Sequence, residues 1–210
     1  MFMVKLQQIL YLTYLTKQQH RSFIMNKIKR VSRIFKIIFQ LVFIGFLLLT
    51  IVGWIDAPEQ ISILKAASSS TGFKFLVIPD YIKILHTLSP QEKIYGFLIS
   101  TIPLAINLWL IASLIKLFKL YEHGKIFVFD NVKAIKHIGI ALLLAQIISP
   151  FYEAALSAAL TWHNPPGHRV SMASFNGTNV GLLTAAIIIL LISWVMTEAC
   201  KLKQENEMVI

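Results

Sequence analysis

Charge is scarce in this sequence and cysteine nearly absent. Only 14% of the 210 residues are Asp, Glu, Lys or Arg, while 56% are hydrophobic and the mean hydropathy is +0.68. Soluble domains carry roughly 25% charge, so too little polar sequence is present to cover a water-soluble fold. The single cysteine, Cys200, excludes an intramolecular disulfide and any cysteine-built zinc or iron–sulfur site within one chain. The sequence holds no His-Glu-x-x-His, no nucleophile elbow, no phosphate-cradling glycine loop and no pair of carboxylates in an apolar run. The chain is therefore read as no enzyme, with no catalytic residue, no cofactor and no metal. His163 and His168 share the stretch His-Asn-Pro-Pro-Gly-His, but two histidines with no third ligand nearby fall short of a metal site. Asn176-Gly177-Thr178 matches a glycosylation sequon, a three-residue pattern that chance supplies.

Long apolar runs are abundant. About 20 helical residues cross roughly 30 Å of hydrocarbon, and four segments qualify: about 37–55, 97–115, 138–160 and 180–197. Backbone groups in lipid must be satisfied within each segment, which makes these helices rather than strands. The expected fold is all-α, an integral membrane four-helix bundle embedded in the lipid bilayer. Trp54 stands where an interfacial aromatic belongs, and Tyr95 and Trp109 bracket the second span. Ser89-Pro90-Gln91-Glu92 reads as a capping box with proline at the first helical position, so the second helix starts before its apolar part. Gly124 is expected to stop that helix, Asp130 or Asn131 to cap the third, and Asn164-Pro165-Pro166-Gly167 to end it. The fourth is expected to start at Thr178 or Asn179.

Base outnumbers acid twofold, twenty Lys and Arg to ten Asp and Glu, for a net charge of +10. Fifteen of the twenty basic residues fall before the first span, between the second and third, or after the fourth; the other five are Lys65, Lys74, Lys83, Lys93 and Arg169. The four lysines of that minority are matched by Asp56, Glu59, Asp80 and Glu92. Basic residues concentrate in cytoplasmic loops, so both termini are expected inside, and the basic balance reflects topology rather than direct nucleic-acid binding. The segment 1–24 carries Lys5, Lys17, His20 and Arg21 around a short apolar run with no cleavage site. It is read as an N-terminal extension, with Met25 the expected start of translation and 25–210 the membrane domain.

Two groups of residues are candidates for function. Glu153 is the one ionisable residue within an expected span, and such residues usually face a cavity or a partner. Gln146 lies seven positions earlier, on nearly the same helix face, and Asn107 is on the second span beside Pro103. Together they form a candidate intramembrane polar site. The second candidate is the connection between the second and third spans, where Tyr121, Glu122, His123, Lys125 and Asn131 sit among five lysines.

That connection also carries a resemblance. The run Leu117-Phe118-Lys119-Leu120-Tyr121-Glu122-His123-Gly124-Lys125-Ile126-Phe127, continuing through Asp130-Asn131-Val132 to Ile138-Gly139, is joined by Met25-Asn26-Lys27-Ile28-Lys29-Arg30-Val31-Ser32-Arg33 and by Ile192-Ser193-Trp194-Val195-Met196-Thr197-Glu198. These stretches resemble a family of small bacterial four-helix membrane proteins, domain of unknown function 2975, from Met25 onward. The family's usual tail is acidic and ends near Leu-Thr-Val, whereas this one reads Glu205-Asn206-Glu207-Met208-Val209-Ile210. The resemblance implies a multi-pass protein of the bacterial cytoplasmic (inner) membrane and, because such proteins are often encoded beside one, a small helix-turn-helix regulator as cytoplasmic partner. The leading functional expectation is a protein presenting a cytoplasmic surface to a regulatory or membrane partner. The alternative is a small transporter or channel, a homo-oligomer with a polar path near Glu153.

Overall fold

The computed structural model describes residues 2–55, 88–126, 128–175 and 177–208, with side chains from Met25 to Asn206 within those ranges. Asp56, Glu59, Lys65, Lys74, Asp80 and Lys83, together with Phe127 and Asn176, lie outside the described residues. Four helices are described: α1 (Phe2–Ile55), α2 (Pro90–Glu122), α3 (Phe129–Thr161) and α4 (Gly177–Met208). All four are long and apolar enough to cross a membrane, α3 being the least apolar, as Gln146, Pro150 and Glu153 require. The chain is thus a multi-pass membrane protein, and all the secondary structure among the described residues is helical. Helix α1 passes through Met25 without a break. At 1.5 Å per residue it is about 80 Å long, so much of it before Ile37 extends beyond the hydrocarbon.

Each helix packs on its chain neighbour, α1 on α2, α2 on α3 and α3 on α4, while α1 and α4 make no comparable contact among the described residues. The outer faces of α1 and α4 expose Leu41, Leu48, Leu191 and Trp194. In water such continuous apolar surface would be a liability; in lipid it is the solvent-compatible face. The core is threaded along α2 and α3 in three groups: Trp54, Leu88, Leu156 and Leu160 at one end, Phe46, Leu110, Ile111 and Ala141 in the middle, and Leu117, Ala134 and Ile138 at the other.

The antiparallel register of α2 and α3 is fixed by two polar pairs. The Ser100 and Tyr152 hydroxyls lie 3.4 Å apart, and His163 Nδ1 is 2.8 Å from Glu92 Oε1. Continued inward, the same register sets Asn107 level with Gln146.

Trp54, expected at the interface, is turned into the protein rather than toward its surroundings. It is 5% exposed and lies against Gly96, where a Cβ would come within 2.0 Å of its ring. A missing side chain on α2 thus makes the slot that draws the indole inward. The capping box at Ser89 is present in both directions, with Ser89 N–H donating to Glu92 Oε2 and Glu92 N–H to Ser89 Oγ. Gly124 stops α2 as expected, at φ 75°, a left-handed conformation that glycine adopts without cost. Gly124 N–H donates to the Tyr121 carbonyl and Lys125 N–H to that of Leu120, the paired bonds of a Schellman motif. The expectation for α3 is corrected: its N-cap is Val128, with no side-chain cap, because Asn131 is drawn back toward the preceding turn. Helix α3 ends at Thr161, a few residues before the expected stop, and α4 begins at Gly177.

Candidate functional site

At the basic end, the turn between α2 and α3 is held from three directions. Arg33 Nε donates to Glu122 Oε1 at 2.8 Å and Lys36 Nζ to Oε2 at 2.5 Å, fastening α1 to the end of α2. The two cations hold the Glu122 carboxyl at about 2, well below its ordinary value, chiefly through the Lys36 hydrogen bond and then that of Arg33. Phe118 stacks on Phe35 and Phe39 of α1 at 5.2 and 5.6 Å and meets Tyr121 edge-on. Burial raises the Tyr121 hydroxyl above its usual value.

His123 is the C-cap of α2. Its backbone N–H reaches the carbonyls of Lys119 and Leu120, and its Nδ1 lies 2.7 Å from the Lys119 carbonyl. A carbonyl only accepts, so Nδ1 carries the hydrogen. Asn131 is 0% exposed and its Nδ2 donates to the Lys125 and Ile126 carbonyls, closing the turn from α3. Of the five candidate residues here, Glu122, His123 and Asn131 are therefore bound into the fold, Tyr121 is half-buried, and Lys125 is exposed. Lys119, Lys133 and Lys136 are exposed around them.

At the opposite end, Glu153 is 1% exposed and is engaged, among others, by a residue of the loop that follows α3. Ser174 donates to Glu153 Oε2 from its backbone N–H at 3.0 Å and from its hydroxyl. Two further rungs continue the pattern. Met172 N–H donates to Ser157 Oγ at 3.1 Å, and Val170 N–H to Thr161 Oγ1 at 3.0 Å. Each hydroxyl divides its one proton between a helix carbonyl and the carbonyl of the loop residue it faces. The spacing explains the fit: four helical residues rise 6.0 Å, and two residues of extended chain advance about 6.6 Å. Glu153, Ser157 and Thr161 thus act as a strand edge made of side chains, and the segment from Val170 to Ser174 straps onto it. The buried Asn164 closes the loop, donating to the His168 carbonyl and accepting from Arg169 Nε.

Gln146 and Asn107 are half-buried near mid-membrane, away from this strap. The structure brings those two to one level and leaves Glu153 to the loop. His163 is taken up by Glu92 and His168 is exposed; no group of three His, Cys, Asp or Glu able to hold a metal occurs among the described residues. Sequence reasoning missed the strap and the Glu92–His163 pair. The four-residue spacing of Glu153, Ser157 and Thr161 in an apolar helix was a readable signal for the first; no local pattern announces the second, whose partners come from different helices.

A family model described as protein of unknown function (DUF2975) matches residues 63–210. The match covers the turn at Tyr121–Asn131 and the stretch Ile192–Glu198, and leaves outside it the stretch Met25–Arg33, which the resemblance had included. No curated protein and no solved structure matches the chain.

Proposed function

We infer that this chain, which belongs to the family described as protein of unknown function (DUF2975), sits in the bacterial cytoplasmic membrane with both termini inside and presents its basic end to a cytoplasmic regulatory or membrane-associated partner. The orientation rests on the uneven partition of Lys and Arg. The observation that carries the docking role is the division among residues of the turn: Glu122, His123 and Asn131 are spent on internal bonds, while Lys119, Lys125, Lys133 and Lys136 stand exposed on the frame those bonds make rigid. Fixed cations on a pre-organised surface favour an acidic partner surface and speed its encounter. A helix-turn-helix regulator, the class of protein often encoded beside such membrane proteins, is a partner of suitable kind.

Replacing Lys119, Lys125 and Lys133 together with Gln tests this directly, since the turn is closed by backbone groups of Lys119 and Lys125 and by none of the three ammonium groups. Abundance and topology should be retained and a bound cytoplasmic protein released at physiological salt. Unchanged recovery of every co-purifying protein would sink the docking role, and a periplasmic reporter active after Ile210 would sink the orientation. The second reading, an oligomeric transporter or channel, is supported by the shared level of Asn107 and Gln146; the engagement of Glu153 by Ser174 argues for anchoring rather than passage.

A further inference from the structure

On α2, Trp109, Ala112 and Lys116 are spaced so that they share one line along the helix. On α3, Lys133, His137 and Ile140 form a line of the same kind. The two lines flank one groove, because the Trp109 and His137 rings meet across it with centroids 5.6 Å apart. Trp109 is 38% exposed; Ala112, Lys116 and Lys133 are also exposed, and His137 and Ile140 are half-buried. The groove therefore opens to the surroundings of the helices rather than to their core. Ala112, the small residue between Trp109 and Lys116, leaves a gap in the α2 line.

The depth of the groove narrows its ligand. Lys116 directly follows the apolar stretch of α2 that ends at Ile115, and His137 directly precedes that of α3, which begins at Ile138. The register that sets Asn107 level with Gln146 also sets Lys116 level with His137. Charge thus gives way to hydrocarbon at one height on both helices, with Lys133 about one turn above that height and Ala112 and Ile140 about one turn below it. The cations here differ from those of α1. Arg33 and Lys36 are taken up by Glu122, whereas among the described residues no ion pair or hydrogen bond engages the ammonium of Lys116 or Lys133. Asp130 is the one carboxylate in the first two turns of α3, and it stands farther from the hydrocarbon than Lys133. Unpaired cations at headgroup depth above an apolar track suit an amphiphile with a negative head.

We propose that this groove seats an anionic phospholipid: its phosphate lies between Lys116 and Lys133 at the height of the His137 ring, and an acyl chain runs over Ala112 and Ile140 beside Trp109. Two ammonium groups converging from neighbouring helices select negative charge, and the groove offers no carboxylate to the cation of a zwitterionic headgroup. The ring pair of Trp109 and His137 ties the two helices together beneath the phosphate, which keeps both lysines within reach of one ligand. The seat does not rest on the docking of a cytoplasmic protein, in which Lys116, Ala112 and Trp109 take no part.

The test uses the full chain in detergent micelles, with phosphatidylglycerol, phosphatidylcholine or glycerol phosphate added, and reads retained ligand by native mass spectrometry. Phosphatidylglycerol should be retained most strongly. Lys116→Gln should weaken its retention about tenfold, the worth of one charge-assisted hydrogen bond. Ala112→Phe, which fills the groove without touching a charge, should abolish retention with helical content unchanged. Lys125→Gln, which removes a cation of the same end outside the groove, should leave retention as it is. Equal retention of phosphatidylcholine would overturn the charge selectivity, and equal binding of glycerol phosphate would overturn the lipid assignment. Full retention by Lys116→Gln, or an equal loss in Lys125→Gln, would overturn the site and leave only diffuse surface charge.

Discussion

At the basic end of the helices, Glu122 is 14% exposed at its side chain and met by two cations of α1, Arg33 and Lys36. At the other end, Glu92 and Glu153 are 3% and 1% exposed and are met, among others, by Ser89, His163 and the backbone and hydroxyl of Ser174. All three carboxylates fasten something: Glu122 ties α1 to α2, Glu92 closes a helix start, and Glu153 holds a loop. They differ in what the fastening demands. An ion pair near water needs proximity of charge and is softened by salt, whereas a buried carboxylate needs each donor in place, because a lost partner leaves a desolvated group behind. The buried end should therefore be sensitive to geometry and the basic end to charge, and substitutions at the two ends can break or sharpen that contrast.

The largest effect is expected at Gly96. Any side chain there must displace the Trp54 indole, which joins Leu156 and Leu160 in the core at the buried end. Gly96→Ala should destabilise the protein by about 3 kcal/mol, the upper range for overpacking a core, seen as a fall in membrane abundance and in the detergent melting temperature. A melting temperature within the scatter of wild type would mean that the slot is not closed around the indole.

Next comes the strap. Glu153→Ala removes the acceptor for both Ser174 donors and should cost about 2 kcal/mol, within the 1–3 kcal/mol range for leaving a buried donor unsatisfied. Limited proteolysis should then cut between Val170 and Ser174, where the wild type resists. Glu153→Gln, which keeps an acceptor oxygen, should restore most of the protection. If both variants leave the loop protected but change a pH-dependent uptake of ions, the anchoring role is wrong and the transport reading gains.

At the basic end, Asn131→Ala frees two carbonyls at a turn already closed by the Schellman bonds and should cost about 1 kcal/mol. Its measure is faster amide exchange at Asn131 and Val132, with little change near Glu153. A loss as large as that of Glu153→Ala would erase the contrast between the ends.

Hydropathy, the capping box and Gly124 made the helices and one turn legible, because each depends on residues close in sequence. Asn131 shows where that reading fails: as a helix cap it would have used its oxygen on its own helix, but the buried turn offered two carbonyls to its amide nitrogen. The burial of Trp54 was illegible for a related reason, since it is decided by the absence of a side chain on another helix. Glu153 was legible as a residue needing a partner; that Ser174 of a loop is one follows from the alternation of Val170, Met172 and Ser174, which matters only once the loop folds back.

The smallest effect separates the ends by pH. Glu122 stands two turns past Ile115, outside the apolar stretch of α2, and its carboxyl is lowered from 4.5 to about 2 by Lys36 and Arg33. A carboxyl depressed in the folded state contributes stability that is fully present above its unfolded value and is lost as pH falls toward the folded one. Between pH 8 and 5 the stability difference between wild type and Glu122→Gln should thus stay constant; from about 4.5 downward it should shrink, and near 2 most of it should be gone. Added salt should shrink the same difference at neutral pH, because Arg33 is 66% exposed. Melting curves of the two proteins across this range, repeated at low and high salt, check both statements. A difference that persists unchanged to pH 2, or that salt does not touch, would show that Glu122 acts by the placement of its oxygens and not by its charge, as Glu153 is argued to do.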